Sequence, residues 1–448
     1  MRMVSVRALG RWWGGVEALL VATTMLSLAS CQVRGAQTGQ SPILKFLQRA
    51  SGLIAYIAPD GNVNIIDQKG GRKRALTADA GANGSGEGVL YAFPTWSPDR
   101  SLLAYVRLTG SGQGSPVECS LVVAAPDGST QTRLFTGTRL QPFYLFWAPD
   151  SRKISVLSSV QGEQQLELGV ATVRPDPGYS ALDRGSPYYW DWLGGGASII
   201  SHVNIGMAGS AEERLSLVSL SQQSARTDLP FTAGAFQAPA VSPDGKTIAY
   251  VVGDPQKFEI HLRSVDGASD RTVASGSGAV YLSYAPDGKR IAYLSAESTA
   301  PVPQGTLHVL DLPDAKVDRA VAESPVISFF WAPNSRLIAF VEPGDPGNLD
   351  TQFQQGQRQI VLKIAGCDPQ TGKTWTIAQF PTSRGFLNLL PFFDQYQRSA
   401  TLWSPDSRHL VFTALSAEGG PGLFIASADG NLKPVRLVAG DSAFWSWR

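Results

Sequence analysis

Residues 96–106 read Trp-Ser-Pro-Asp-Arg-Ser-Leu-Leu-Ala-Tyr-Val. Proline supplies the fixed φ of turn position i+1, aspartate tolerates the bridge conformation at i+2, and glycine or a small polar residue suits i+3. The apolar run that follows is rich in strand formers. The stretch is therefore a tight turn joining two antiparallel strands, with an aromatic residue just ahead of it. The same pattern recurs as Trp147-Ala148-Pro149-Asp150 before KISVL, Val241-Ser242-Pro243-Asp244 before TIAYVV and Tyr284-Ala285-Pro286-Asp287 before RIAYL. It recurs again as Trp331-Ala332-Pro333-Asn334 before LIAFV and Trp403-Ser404-Pro405-Asp406 before HLVFTA. A worn copy, Trp192-Leu193-Gly194-Gly195 before ASIIS, has glycines in place of the turn residues.

Each turn and strand is followed by a second strand, such as SLVVAAPDG or TLHVLDL, and a third, such as TQTRLF. Each unit is thus about four short strands repeating every 45–50 residues or so, the period of propeller blades. The ends support closure. The first unit, from Gly52, starts at a second strand (LIAYI), continues through NVNIID and RKRALT, and lacks a first strand. The last residues, Ser442-Ala443-Phe444-Trp445-Ser446-Trp447, read as an unaccompanied first strand with Trp445 in the aromatic slot. Joining the two buries the edges that an open array would expose. The slots are then Trp445, Trp96, Trp147, Trp192, Val241, Tyr284, Trp331 and Trp403, and the expected fold is an all-β, eight-bladed propeller. Without the worn Trp192 copy the count is seven, but that copy has strand candidates of its own in RLSLVSL and RTDLPF. The aromatic slot is read as packing between neighbouring sheets, worth roughly 1.5–3 kcal/mol per buried ring.

The (Trp/Tyr)-(Ser/Ala)-Pro-Asp turn followed by an (Ile/Leu)-Ala-(Tyr/Phe) strand resembles the TolB-type, WD-like propeller repeats, over residues 52–448. The resemblance implies architecture and says little of activity. TolB carries an additional N-terminal α/β domain, for which the stretch between Cys31 and Gly52 leaves no room, so a Tol–Pal role is not expected. Hydrolases of the prolyl oligopeptidase type set such propellers beside a separate catalytic domain, for which no room is expected here either.

The N-terminus reads as an export signal. Arg2, Arg7 and Arg11 precede an apolar stretch from Ala18 to Ala29, too short to span a bilayer as a permanent helix. It closes on Leu28-Ala29-Ser30-Cys31, which resembles the lipobox of bacterial lipoproteins. That likeness implies loss of residues 1–30, lipidation of Cys31, a tether over 31–51 and a propeller over 52–448. Stable anchoring takes more than one acyl chain, which lipoprotein modification supplies; an ordinary secretory signal is the alternative. Gln32 is not the aspartate that retains such proteins at an inner membrane, which leaves an outer-membrane destination open. The expected location is extracytoplasmic, at the membrane of the cell envelope.

The formal net charge of +1 argues against an electrostatic nucleic-acid surface. No Gly-x-Ser-x-Gly elbow and no Asp-box (Ser-x-Asp-x-Gly-x-Thr-Trp) occurs. His202, His261, His308 and His409 fall in four different blades without ligand spacing, each read as a strand histidine beside solvent. No catalytic residue, metal or cofactor is expected. Cys119 and Cys367 fall in blades separated by two others, too far apart for a disulfide, which needs Cα atoms within about 7 Å.

Loops joining strand two to three, and strand four to the next blade, share one face. The long insertions 78–90, 108–118, 342–357 and 381–398 all fall there, whereas the other face has short turns. Loops on a rigid scaffold are where binding sits. The last insertion, with Phe386, Leu387, Leu389, Leu390, Phe392, Phe393 and Tyr396, either plugs the channel or meets a partner. Tyr91, Phe93, Tyr144, Tyr189 and Tyr281 enter the inner strands and are candidates to line a funnel, and Asp191 is the one carboxylate singled out as a ligand candidate. The tether, roughly 70 Å at full extension, enters on the short-turn side, so the long-loop face is expected to point away from the membrane. These features suggest a monomeric, lipid-anchored binding or scaffold protein for a protein or glycan. A propeller enzyme acting on glycans, hydrolase or lyase, and an assembly factor for envelope proteins are the alternatives.

Overall fold

Eight antiparallel sheets follow one another along the chain in a computed structural model. It describes residues 52–82, 88–110, 117–206, 212–220, 225–229, 237–254, 256–297, 302–315, 317–355 and 359–447. The export signal, Cys31 and the tether lie outside these residues, as do parts of the 78–90, 108–118 and 342–357 insertions.

The blades are named I to VIII from the slots Trp445, Trp96, Trp147, Trp192, Val241, Tyr284, Trp331 and Trp403. Blade I confirms the shared-blade reading. Its inner strand Asp441–Trp445 pairs antiparallel with Ile54–Ile57, placing Ile54 opposite Trp445 and Ala55 opposite Phe444. Val63–Ile66 and Arg74–Ala75 complete the sheet. The closure is reinforced where Ser446 N donates to Leu53 O at 2.7 Å and Leu53 N to Ser446 Oγ at 3.0 Å. The worn copy is a full blade: Tyr188–Leu193, Ser198–Asn204, Glu213–Ser219 and Arg226–Asp228 form blade IV. Its turn needs glycine, because Gly196 has φ +103° and a Cβ there would stand 2.9 Å from Ala148 Cβ of blade III.

The aromatic slot packs between sheets, as its position predicts. Trp147, Ile154 and Val156 of blade III share a cluster with Ala104, Leu121 and Val123 of blade II. It also makes a directed contact that the sequence pattern does not announce. The indole N–H reaches the carbonyl just before the slot of the preceding blade. Trp96 Nε1 donates to Phe444 O (3.1 Å), Trp147 Nε1 to Thr95 O (3.0 Å) and Trp192 Nε1 to Phe146 O (3.2 Å). Trp331 Nε1 donates to Ser283 O (3.3 Å) and Trp403 Nε1 to Phe330 O (2.9 Å). Tryptophan therefore satisfies a buried donor while joining two blades. Trp445 lies outside this pattern, its buried Nε1 having no acceptor among the described residues.

The turns form a second set of blade-to-blade bonds. Position i+3 has positive φ in every Pro-Asp or Pro-Asn copy: Arg100, Ser151, Gly245, Gly288, Ser335 and Ser407. Where it is serine, the hydroxyl accepts the amide of the preceding blade's turn. Asp99 N reaches Ser151 Oγ at 3.0 Å, Asp287 N reaches Ser335 Oγ at 2.9 Å and Asn334 N reaches Ser407 Oγ at 3.0 Å.

Two blades depart from four strands. Blade II gains an inner fifth strand, as Gly81–Ala82 pairs with Gly88–Trp96. Part of the 78–90 insertion is thus strand. Blade VIII keeps His409–Leu415, Pro421–Ser427 and Val435–Ala439, but its inner strand shrinks to a single bridge between Trp403 and Leu410. The residues ahead of Trp403 have been diverted into the channel. Cys119 of blade II and Cys367 of blade VII are buried free thiols.

A plugged channel and an aromatic recess

Residues 382–400 cross the centre of the ring, and their composition explains why they stay there. Ser383 caps the helical turn Arg384–Leu387, its hydroxyl accepting Phe386 N at 3.2 Å. A second turn, Phe393–Tyr396, follows a short 3₁₀ turn at Leu390–Phe392. Their apolar side chains reach the inner strands of several blades. The Phe393 ring sits 5.1 Å from Phe329 and 6.4 Å from Phe330 of blade VII, and 5.6 Å from Tyr281 of blade VI. Tyr396 lies 4.7 Å from Tyr144 of blade III.

Polar groups fix the register. Tyr144 Oη donates to Gln395 O at 2.7 Å, and Trp190 N donates to Gln395 Oε1 at 3.0 Å. Ala238 N, ahead of blade V, donates to Asp394 Oδ2 at 3.1 Å. Arg398 pairs with Asp191 of blade IV, which also accepts Val241 N at 2.7 Å and Trp192 N at 2.9 Å. The insertion therefore plugs the channel and ties blades III, IV, VI and VII, together with the approach to blade V, through its own side chains and backbone.

The plug carries an electrostatic cost. Asp394 is 1 % exposed, and burial pushes its carboxyl up to about 6 despite the amides of Ala238 and Gln395. Burial also raises Asp191, with Arg398 and two backbone N–H groups acting in the opposite direction. Tyr144, buried against the plug, and the half-buried Tyr189 have phenols raised by the same desolvation, and Tyr281 is pushed up to about 12.

Two hollows remain. On the short-turn face a cavity of about 660 Å³ is lined by residues of all eight blades, including Pro98, Pro149, Pro243, Pro286, Pro333 and Pro405. Asp191, Gln397, Arg398 and Thr401 also line it, on the side of the plug. Beside the plug lies a recess of about 400 Å³ among blades I, II and III. Tyr91 and Phe93 of blade II, Phe143 and Tyr144 of blade III, and Leu389 and Tyr396 of the plug wall it, together with Asn388, Asp441 and Ser442.

The sequence-derived candidates thus divide into two groups. Tyr91, Phe93, Tyr144 and Tyr396 converge on the recess. Tyr189, Asp191, Tyr281, Phe386 and Phe393 belong to the plug and the surface it rests on: Phe386 is buried against Phe380, at a ring separation of 5.4 Å. Phe392 points outward, 46 % exposed, with its ring 6.0 Å from Tyr396. Asn388, Asp441 and Ser442 carry no motif, and only the folded chain brings them to the recess. Two histidines also differ from the expected solvent-side position. His202 is buried with Nδ1 3.0 Å from Gln237 O, because the stretch before blade V covers it. His409 is buried behind the blade VIII turn, where it helps hold Asp406 down to about 2. Among the described residues no three His, Cys, Asp or Glu side chains gather as a metal site would need, and none forms a helix long and apolar enough to cross a membrane.

The fold and channel define an eight-bladed β-propeller with an internal plug. No family model and no curated protein matches the chain. It is similar in fold to an oligogalacturonate lyase in complex with manganese, at 16 % identity over 85 % of this chain and 98 % of that one, with a TM-score of 0.47. The propeller domain of the trilobed protease of Pyrococcus furiosus is similar at 12 % identity, 79 % and 98 % coverage and a TM-score of 0.44. TolB of Acinetobacter baumannii is similar at 15 % identity, 75 % and 80 % coverage and a TM-score of 0.37. These likenesses go no further than the class of fold.

Proposed function

We propose that this protein is a lipid-anchored binding protein of the cell envelope that engages a polypeptide partner through its long-loop face. One observation carries the reading: the channel centre is filled by the plug, while apolar side chains beside it remain uncovered. Asp191 and Asp394, the buried carboxylates at the plug, are engaged by Arg398 and by backbone amides. Leu90 is 60 % exposed, Phe93 lines the recess with an exposed ring, and the exposed ring of Phe392 stands 6.0 Å from that of Tyr396 in the recess wall. Exposed apolar residues clustered round a pocket are the anatomy of an interface anchor. The lipobox at Cys31 supports the anchor and the extracytoplasmic location.

Photo-crosslinking residues at Leu90 and Phe392, compared with Asp127 and Asp287 on the short-turn face, test this in intact cells. Protein adducts from the first pair and none from the second are expected. Adducts confined to the second pair, or absent at native expression, would refute the assignment of the face. Cys31→Ser is expected to shift the protein from the membrane to the soluble fraction, and unchanged sedimentation would remove the anchor from the reading.

A further inference from the structure

We infer that the recess between blades I, II and III is a binding site for an organic ammonium group, held against Asp441 within aromatic walls. The inference rests on the long-loop face being the binding face and names the chemistry it takes.

Three observations carry it. The first is charge. Among the described residues, Asp441 is the only carboxylate lining the recess, and no lysine, arginine or histidine lines it. The carboxylate is half-buried and has no cation partner among the described residues. Its Oδ1 accepts Ser383 Oγ (2.7 Å) and Ser442 N (2.8 Å), and its Oδ2 accepts Gly385 N (3.1 Å). A carboxylate has about four lone-pair sites, so acceptor capacity remains at Oδ2. Charges withdrawn from water are ordinarily paired or hydrogen-bonded: Glu342 pairs with Lys363, Glu167 with Arg184 and Asp191 with Arg398, whereas the more deeply buried Asp394 is held by backbone N–H groups.

The second is the wall. Tyr91, Phe93, Phe143 and Tyr396 come from three separate segments to one hollow. Aromatic faces attract organic cations, the more strongly the more the pair is withdrawn from water. A volume of about 400 Å³ lies in the range of small-ligand pockets, roughly 300–1,000 Å³.

The third is backbone conformation. Among the described non-glycine residues, eight have positive φ, and six of them lie in connections between strands. The other two, Phe93 (φ 55°) and Ser442 (φ 54°), both line the recess. Each sits at a break in strand register, between Ala92 and Thr95 in blade II and opposite the Ala55–Ile57 irregularity in blade I. A bulge re-aims a side chain. For a ring as bulky as Phe93 the conformation is strained, and such strain clusters at functional sites.

The test is calorimetric titration of the purified protein with benzyltrimethylammonium, benzyl alcohol and benzoate. Saturable binding of the cation is expected, with the alcohol at least tenfold weaker and benzoate without detectable binding. Phe93→Ala and Asp441→Asn are each expected to weaken the cation at least tenfold. Asp441 also caps the plug, so Phe93→Ala, which removes an exposed ring, is the variant expected to keep the parent unfolding midpoint. Equal affinity for cation and alcohol, or an unchanged affinity in Phe93→Ala, would overturn the inference. So would absence of cation binding, and if crosslinks at Leu90 and Phe392 persisted, only the ligand class would fall and the binding face would stand.

Discussion

Asp394 makes the plug pH-sensitive, and the size of the effect follows from its surroundings. Its carboxyl lies inside the ring, accepting Ala238 N and Gln395 N, with the phenols of Tyr189 and Tyr281 near it and Arg398 the cation that acts on it. Burial raises it from 3.8 to about 6. A carboxyl raised in the folded state binds its proton more tightly there than in the unfolded chain. Its contribution to stability is therefore fully present below about pH 4 and is lost as pH rises through about 6. A shift of about two units at 1.36 kcal/mol each amounts to about 3 kcal/mol. Asp394→Asn removes the titration. The amide has one oxygen where the carboxylate has two, so one of the two N–H donors loses its acceptor, at a cost of about 1–3 kcal/mol. The variant is accordingly expected to be less stable than the parent near pH 4 and equal to it or more stable near pH 7. Urea unfolding from pH 4.5 to 7.5 reads this directly. The difference between the two proteins should change by about 2–3 kcal/mol across the range, in the direction that favours the variant at higher pH. Parallel curves would refute the burial of an ionising carboxyl within the plug.

Three further outcomes follow from the ring. Trp96→Phe removes the indole bond to Phe444 O and should cost about 1–1.5 kcal/mol more than Trp445→Phe, whose indole makes no such bond; equal losses in denaturant melts would contradict this. Deleting residues 442–448 strips the inner strand from blade I with two buried rings, and cooperative thermal unfolding is expected to be lost; an unchanged transition would sink the shared-blade closure. Gly196→Ala forces a Cβ to 2.9 Å from Ala148 and should lower stability more than Gly195→Ala, where nothing lies within 4 Å, by an extra 1–3 kcal/mol or so; a reversed order in the same assay would refute the close approach of the two turns.

The number of blades, their order and the closing strand were legible in the sequence because each is written locally. A Pro-Asp turn with an aromatic before it and an alternating strand after it depends on residues within a dozen positions. Even the worn Trp192 copy could be placed, since its strands persist where its turn residues do not. The aromatic content of 381–398 likewise signalled that the segment would not remain solvated.

Tertiary structure alone decided where that segment goes. Gln395 meets Tyr144 and Trp190, and Arg398 meets Asp191, across separations of some two hundred residues. No local pattern encodes such pairs, and desolvation of Asp394 exists only once the ring has closed around it. The recess is of the same kind. Tyr91 and Phe93 were visible as candidates, but Asp441 acquires meaning only because the C-terminal strand returns beside blade II and the plug withdraws the surrounding water. Periodicity determined the scaffold, whereas the chemistry at its centre comes from side chains brought together by closure of the ring.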